Sequence, residues 1–208
     1  MGQPITERVP DLTSWADVGT HQRRLVDGLV AAGRSCCEDT SSHLPGLVVG
    51  AVGDRELVRI DLRRAGRDGQ WDVLVEALAL VVPMGCDRVS IALPGRAWSW
   101  DDPIAPVIDG VGDLRQRVYV EVRGDASTTP PRMTSHLHPF QVGHHRLAWR
   151  EPLDPGDGVG WVLEMLRAGL LGRHELAAGP AQLEEQAVRL VLRGHLVDLT
   201  VAGEARLH

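Results

Sequence analysis

The sequence predicts an α/β domain of the α+β type, in which a mixed β-sheet is flanked by helices and followed by a small helical C-terminal segment. Two patterns predict this class. Short β-branched segments whose apolar residues alternate with period two indicate strands, and apolar residues spaced three and four positions apart indicate helices. The predicted strands are interleaved with few helices and begin with a hairpin, which favours a mixed sheet covered by helices.

The predicted elements follow one another in a simple order. They are a helix over 14–33, a loop over 34–45, a hairpin over 47–52 and 56–62, a helix over 71–82, strands over 88–93 and 116–123, a strand or hairpin over 134–152, helices over 159–171 and 180–193, and a strand over 196–201. Within this order, residues 1–13 are predicted to be a flexible lead-in, residues 14–152 the core domain, and residues 153–208 a helical segment packed on it.

Start and stop signals support several of these bounds. Ser14 with Asp17 three positions later resembles a capping box at a helix start. Glycine and aspartate in Gly53-Asp54-Arg55 indicate the hairpin turn. Pro83 is expected to end the second helix, Pro94-Gly95 to end the strand that begins at Arg88, and Pro180 to occupy the first turn of the last helix.

Composition excludes several classes of function. The net charge of −6 argues against nonspecific nucleic-acid binding, which needs cations to neutralise phosphates. All 22 basic residues are arginine, so a P-loop lysine and Schiff-base chemistry are both excluded. The absence of lysine and asparagine is interpreted as coding bias in a GC-rich bacterial genome. No Gly-x-Ser-x-Gly nucleophile motif is present either.

The expected location is the cytoplasm. Met1–Pro10 has no apolar core typical of a secretory signal, and the longest apolar segment, Ala77–Met84, is far shorter than the roughly 20 residues that span a bilayer. The cysteines, Cys36, Cys37 and Cys86, are odd in number and lack a Cys-x-x-Cys pair, which does not fit a disulfide framework. Cys36 or Cys37 as a nucleophile is a weaker alternative to a role as small apolar filler.

The segment from Thr134 to His145 contains four of the nine histidines within ten positions: His136, His138, His144 and His145. Histidine is the commonest metal ligand and exchanges protons near neutral pH. Along one extended strand, His138 and His144 would lie about 20 Å apart at ~3.3 Å per residue. A shared zinc ion therefore requires the chain to reverse between them, with Phe140–Val142 at the tip, and a carboxylate from elsewhere, such as Glu38 or Asp39. The alternative is a polar loop whose histidines face solvent or are hydrogen bonded.

The element His136-Leu137-His138-Pro139 resembles the His-x-His-Pro element of the JAB/MPN metalloproteases. That resemblance covers four residues and implies a zinc-dependent hydrolase. The family's element continues to a serine and an aspartate, whereas Gly143–Ala148 contains neither. Membership in the family is therefore not predicted.

A second candidate site is the segment that follows the strand beginning at Arg88. Its members are Arg96, Trp98, Trp100, Asp101 and Asp102. Two indoles, a guanidinium and two carboxylates offer stacking, cation–π contacts and hydrogen bonds to a ligand. The alternative is that the indoles cover the core and the acids face water.

Three functions follow from these patterns. The favoured one is a noncatalytic domain that binds a protein or small-molecule partner, without a cofactor and with a homodimer as one arrangement. The alternative is a metal-dependent hydrolase that uses the histidines. The third is a DNA-binding regulator whose last two helices form a helix-turn-helix, although Gly172–Gly179 is longer than the 3–4-residue turn of that motif.

Overall fold

The computed structural model of the chain describes residues 46–53, 55–62, 70–97, 116–143, 146–150, 153 and 159–199. The elements are β1 (Gly46–Val52), β2 (Arg55–Leu62), α1 (Gln70–Val81), β3 (Arg88–Ala97), β4 (Gln116–Asp125), β5 (Arg132–Gly143), β6 (Arg146–Trp149), α2 (Gly160–Gly172), α3 (Pro180–Leu192) and β7 (Leu196–Leu199). The predicted helix over 14–33 and loop over 34–45 lie outside the described residues.

The seven described strands form one sheet in the order β6-β5-β4-β3-β1-β2-β7. Every pairing among them is antiparallel. The α+β class is therefore confirmed, but the sheet is antiparallel rather than mixed. The strands β2 and β3, which α1 connects, run parallel to each other. However, β1 lies between them and pairs antiparallel with both, so no parallel pair forms among the described strands.

The three described helices cover one face of the sheet, called here the helix-covered face. Strand residues on this face form a single apolar cluster with helix residues such as Leu74, Leu170 and Leu190, each of which is fully buried. Gly50 of β1 permits the close approach of α1, because a Cβ at that position would lie 2.6 Å from Val81 Cγ1. β7 pairs with β2, so the chain returns after the last two helices to extend the same sheet.

β3 passes through the residues that were expected to end it. It continues through Pro94 and Gly95 to Ala97, paired with β4 throughout. The pairing of β3 with β1 stops at Ala92, so Pro94 lies where β3 has a described partner on one side only. A proline there removes no hydrogen bond to β1, which is why the strand tolerates it.

The predicted strand or hairpin over 134–152 is a hairpin of β5 and β6, and the chain does not reverse at Phe140–Val142, the reversal that a zinc ion shared by His138 and His144 would require. β5 runs straight through Pro139 to Gly143, and the chain reverses only between Gly143 and its partner Arg146. The Pro139 carbonyl accepts a hydrogen bond from Arg150 N at 2.8 Å, on the side away from β4. Because N–H and C=O of one strand residue point to the same side, the missing N–H of Pro139 leaves the pairing with β4 intact.

None of the described helices is long and apolar enough to cross a membrane.

Candidate functional site

The face of the sheet opposite the helices carries a buried polar cluster. Alternation along β4 sends Val118, Val120 and Val122 to the helix-covered face and Tyr119, Glu121 and Arg123 to the opposite face. The register of β4 with β5 sends His136 and His138 to the same opposite face. Glu121, Arg123 and His138 are buried, with relative exposures of 0–1%. This set, Glu121, Arg123 and His138, is called the polar triad below.

The carboxylate of Glu121 joins the other two members of the triad. Oε2 of Glu121 lies 2.6 Å from Nε2 of His138, within hydrogen-bond distance. Oε1 of Glu121 accepts a hydrogen bond from Nε of Arg123. The contact with His138 joins β4 to β5, whereas the contact with Arg123 joins two positions on the same face of β4. The β4–β5 register therefore brings His138 to the Glu121–Arg123 pair. The charges of the triad are compensated inside the protein, as the burial of ions requires.

The direction in which the pKa of Glu121 shifts depends on its two partners, His138 and Arg123. Burial alone would raise the pKa of the Glu121 carboxyl, because a low-dielectric environment penalises the charged form. The hydrogen bond with His138 and the positive charge of Arg123 outweigh that effect, so the pKa of Glu121 lies below its usual value of 4.5. Glu121 is therefore an anion throughout the neutral range.

The pair Glu121–His138 has the arrangement of a carboxylate that orients a histidine. In the neutral imidazole that carries its proton on Nε2 and donates it to Glu121, Nδ1 of His138 has a lone pair. That nitrogen is buried and makes no hydrogen bond within the described part of the chain. Carboxylate–histidine pairs of this kind orient metal ligands and general bases. The ring of His136 lies 6.1 Å from that of His138, centroid to centroid.

The structure brings together only part of the predicted histidine cluster. His136 and His138 share a face of β5, whereas His144 and His145 lie outside the described residues. Gly143 lies five positions beyond His138 on the same strand, which is about 17 Å at ~3.4 Å per residue. Among the described residues, no three His, Cys, Asp or Glu side chains gather closely enough to hold a metal ion.

The predicted ligand site around Arg96 is described only at its first member. Arg96 is exposed near the end of β3 and is paired with Arg117 of β4. Trp98, Trp100, Asp101 and Asp102 lie outside the described residues, and so do the carboxylates Glu38 and Asp39. The ligand-binding role of these residues therefore stays a prediction.

Sequence reasoning missed Glu121 and Arg123. The signal was present, because the alternation that places three valines of β4 on one face necessarily places Glu121 and Arg123 on the other. Charged residues in a strand usually indicate a solvent-facing side, and their burial depends on what covers the sheet. The closeness of Glu121 to His138 depends on the register between β4 and β5, which residue patterns in one strand do not contain.

A thiol nucleophile finds no support at Cys86. This cysteine is fully buried on the helix-covered face. Burial and the negative charge of the adjacent Asp87 raise the pKa of the Cys86 thiol to about 12, so the reactive thiolate is scarce at neutral pH. Cys36 and Cys37 lie outside the described residues.

The last helix and strand present apolar side chains to solvent. Leu192 of α3 is 83% exposed, and Val188, Val191 and Leu196 are about half exposed. Val188, Val191 and Leu192 lie on α3 beside β7, the last strand of the described sheet, and are called the α3–β7 edge below. Leu196 lies on the opposite face of the sheet from α3, because Val197 and Leu199 face the helices.

The chain matches no family model, no curated protein and no solved structure.

Proposed function

We propose that this protein is a noncatalytic α+β domain that acts by binding a partner protein, and that the partner docks on the α3–β7 edge. The supporting observation is the exposure of Val188, Val191 and Leu192, which lie on one side of α3 at three- and four-residue spacing beside the last strand of the described sheet. Contiguous exposed apolar side chains mark interaction surfaces, because solvent exposure of such a group is unfavourable.

The free energy gained by burying these apolar side chains is of the size that a docking site needs. Fully burying a leucine or valine side chain contributes about 1.5–3 kcal/mol, so the three half-exposed or exposed side chains of this edge offer several kcal/mol. Association costs an estimated 4–15 kcal/mol in lost freedom. Apolar burial at this edge is thus comparable to the cost of association, and hydrogen bonds to the sheet edge add to it.

Site-specific photo-crosslinking tests the docking proposal. A photoreactive amino acid is placed at Leu192 in the full chain, within cells of the native host, and the crosslinked products are identified by mass spectrometry. The matched control is the same residue at Val75, which is 52% exposed on α1. We expect one discrete protein product from position 192 and none from position 75. Equal products from both positions, or none from either, would overturn the proposal.

A second candidate function is a zinc-dependent hydrolase in which His136 and His138 bind the ion. The observation in its favour is the geometry of the two rings on one strand, with Glu121 orienting His138. At Zn–N distances of about 2.0–2.1 Å, two ligand rings have centres roughly 5–6 Å apart, close to the arrangement found here. A third ligand would be a carboxylate from outside the described part of the chain, as predicted for Glu38 or Asp39, because β5 continues to Gly143 without the reversal that would bring His144 or His145 near His138.

Metal analysis separates the two functions. The chain is purified without a histidine tag and its zinc content is measured before and after substitution of His136→Ala with His138→Ala. Stoichiometric zinc that this double variant loses, and that the exposed control His174→Ala retains, would support the hydrolase. A metal-free protein whose melting temperature does not change on zinc addition would eliminate it. His174 lies in the connection between α2 and α3.

A further inference from the structure

We propose that residues 14–33 form an amphipathic helix that packs on the face of the sheet opposite the three described helices, and that this helix encloses the polar triad. The α3–β7 edge takes no part in this contact, so the proposed function and this inference can fail separately.

The first observation is the burial of apolar side chains on that opposite face. The register of the strands sends these side chains to the side away from the helices. Each has a relative exposure of 0–4%, and none belongs to the apolar cluster that the described helices form with the sheet. They are Leu47, Val49 and Ala51 of β1, Ala92 of β3, Tyr119 of β4 and Phe140 of β5.

The burial of this face arises within the chain, since the structure contains a single chain. A sheet face that nothing covers leaves its side chains in contact with water. A residue as small as Ala92 does not reach 0% exposure through its strand neighbours alone. All three described helices lie on the other face. The cover therefore belongs to a segment of this chain outside the described residues.

The size of the covered area fits one helix. It extends from β5 through β4 and β3 to β1, which is three strand spacings, or about 14 Å at ~4.8 Å each. At β2 and β7 the same face is open to water, since the Asp61 side chain is 37% exposed and Leu196 is 51% exposed. An α-helix with its side chains is about 10–12 Å wide, so a single helix would account for the covered area.

Residues 14–33 have the length and the residue pattern that this position requires. At 1.5 Å per residue they would form a helix about 30 Å long. Their apolar side chains recur at helical spacing and share one side of the predicted helix, whereas Asp17, Arg24 and Asp27 lie on the other side. The apolar members are Trp15, Val18, Leu25, Val26, Leu29 and Val30.

The place of this segment in the chain also favours it. Residues 34–45 join it to β1, which begins at Gly46 beside the covered area. At ~3.3 Å per residue this connection reaches up to about 40 Å, enough to return from either end of the helix. The other long segment outside the described residues, 98–115, contains Pro103 and Pro106, which do not fit the interior of a helix.

The polar triad lies inside the covered area. On the same face, the rings of Tyr119 and Phe140 lie 5.7 Å apart, centroid to centroid, on the two strands that carry Glu121 and His138. An apolar helix over these side chains would exclude water from the hydrogen bond between Glu121 and His138. Hydrogen bonds are electrostatically stronger in such a low-dielectric environment. The triad is then an internal polar contact beneath the helix.

Face-specific chemical modification of the full chain tests this inference. Tyr119 is the only tyrosine and reports on the opposite face, whereas Cys86 reports on the helix-covered face. Tetranitromethane for tyrosine and iodoacetamide for cysteine are applied separately, and modification is measured by mass spectrometry of each peptide. In Leu25→Asp with Leu29→Asp, we expect Tyr119 to be nitrated at least about tenfold faster than in the wild type while Cys86 stays protected, because carboxylates oppose burial of the helix.

The matched control changes the other side of the same predicted helix. Arg24→Ala with Asp27→Ala should leave Tyr119 as protected as in the wild type. Circular dichroism verifies that each variant is folded. A folded Leu25→Asp and Leu29→Asp chain whose Tyr119 stays protected would overturn the inference, as would a wild-type Tyr119 that reacts as fast as free tyrosine.

Intramolecular photo-crosslinking decides the question if the aspartate variant unfolds. A photoreactive amino acid replaces Val26 in the purified full chain, or Arg24 in the control. We expect position 26 to crosslink to the peptides that carry Val49 and Tyr119, and position 24 to give no such product. Crosslinks from position 26 to other parts of the chain alone would overturn the inference. A photoreactive residue at Trp100 that captures these peptides, while position 26 captures neither, would instead identify residues 98–115 as the cover.

Discussion

At the scale of single residues, the main feature of the described sheet is the Glu121 carboxylate, which is buried between Arg123 and His138. Glu121 is fully buried and holds both side chains through its two oxygens. An ion pair of this kind contributes little relative to apolar packing, but loss of one partner leaves an uncompensated buried charge. Each charged member of the polar triad therefore depends on its partner to compensate its charge.

The substitution Glu121→Gln tests that dependence. It removes the charge while keeping the shape, and we expect a loss of about 3–5 kcal/mol of unfolding free energy at neutral pH because Arg123 is left buried without its counter-ion. The measurement is urea unfolding. The control is Glu164→Gln on α2, whose exposed ion pair with Arg167 should contribute about 0–1 kcal/mol.

The difference in unfolding free energy between the wild type and Glu121→Gln should depend on pH. The folded state holds the pKa of Glu121 below 4.5, so the stability that the carboxylate contributes is complete above that pH and is lost as pH falls through the lowered folded value. The difference between wild type and Glu121→Gln should therefore shrink only below about pH 4.5. A difference that does not change with pH in that range would contradict the anionic triad.

Gly124 offers a second residue-scale test, on the helix-covered face. A Cβ at this position of β4 would lie 2.4 Å from Leu170 Cδ1. Gly124→Ala should therefore push α2 away from the sheet and cost about 1–3 kcal/mol, as overpacking does. Gly160→Ala at the start of α2 is the control, since a Cβ there meets nothing within 4 Å. Equal melting temperatures for the two variants would rule out close packing of α2 on β4.

At the scale of elements, the end of α3 is joined to α1 and β7 by a small polar group. Arg193 Nη2 lies 3.0 Å from Glu76 Oε1 of α1. His195, between α3 and β7, is buried at 3% exposure. Burial lowers the pKa of His195, and the nearby charge of Arg193 lowers it further, against the opposing influence of Glu76. The junction therefore favours a neutral imidazole.

A pH-dependent weakening of this junction follows. Because the folded state lowers the pKa of His195 below 6.5, the unfolded chain binds more protons between the folded value and 6.5. Stability is thus fully present above pH 6.5 and falls as the pH drops through the folded value. His195→Gln should flatten the slope of melting temperature against pH in this window, whereas His174→Gln at an exposed position should leave it as in the wild type. A wild-type melting temperature that is flat in this window would refute the explanation.

At the scale of the whole molecule, the C-terminal elements share one apolar cluster with the sheet. Leu166, Leu170 and Leu190 are fully buried in the cluster that also contains Val48, Ile60 and other strand residues. Each buried leucine contributes about 1.5–3 kcal/mol, so these three account for several of the roughly 5–15 kcal/mol that keep a domain folded. Residues 160–199 thus contribute to the stability of the sheet itself.

A shortened chain tests this integration. A chain that ends at residue 152 lacks α2, α3 and β7, and we expect it to show no cooperative thermal transition, because the helix-covered face loses two of its three described helices. A chain that ends at Leu199 keeps every described element and should melt cooperatively. A sharp transition at the full-length temperature for the shorter chain would instead establish residues 153–208 as a separate unit.

The sequence by itself determined the local elements. The period-two and helical spacings predicted the β1–β2 hairpin and all three described helices to within a few residues, since these patterns report which side of an element is apolar. The α+β class followed from their order.

Tertiary structure alone decided the rest. The position of β1 between β2 and β3 makes the sheet antiparallel, and the strand neighbours of Pro94 and Pro139 let β3 and β5 continue through prolines. The β4–β5 register places Glu121 beside His138, 17 positions along the chain. Strand order and register depend on contacts between residues that are distant in the sequence. The residue pattern of one strand does not indicate which strand becomes its neighbour.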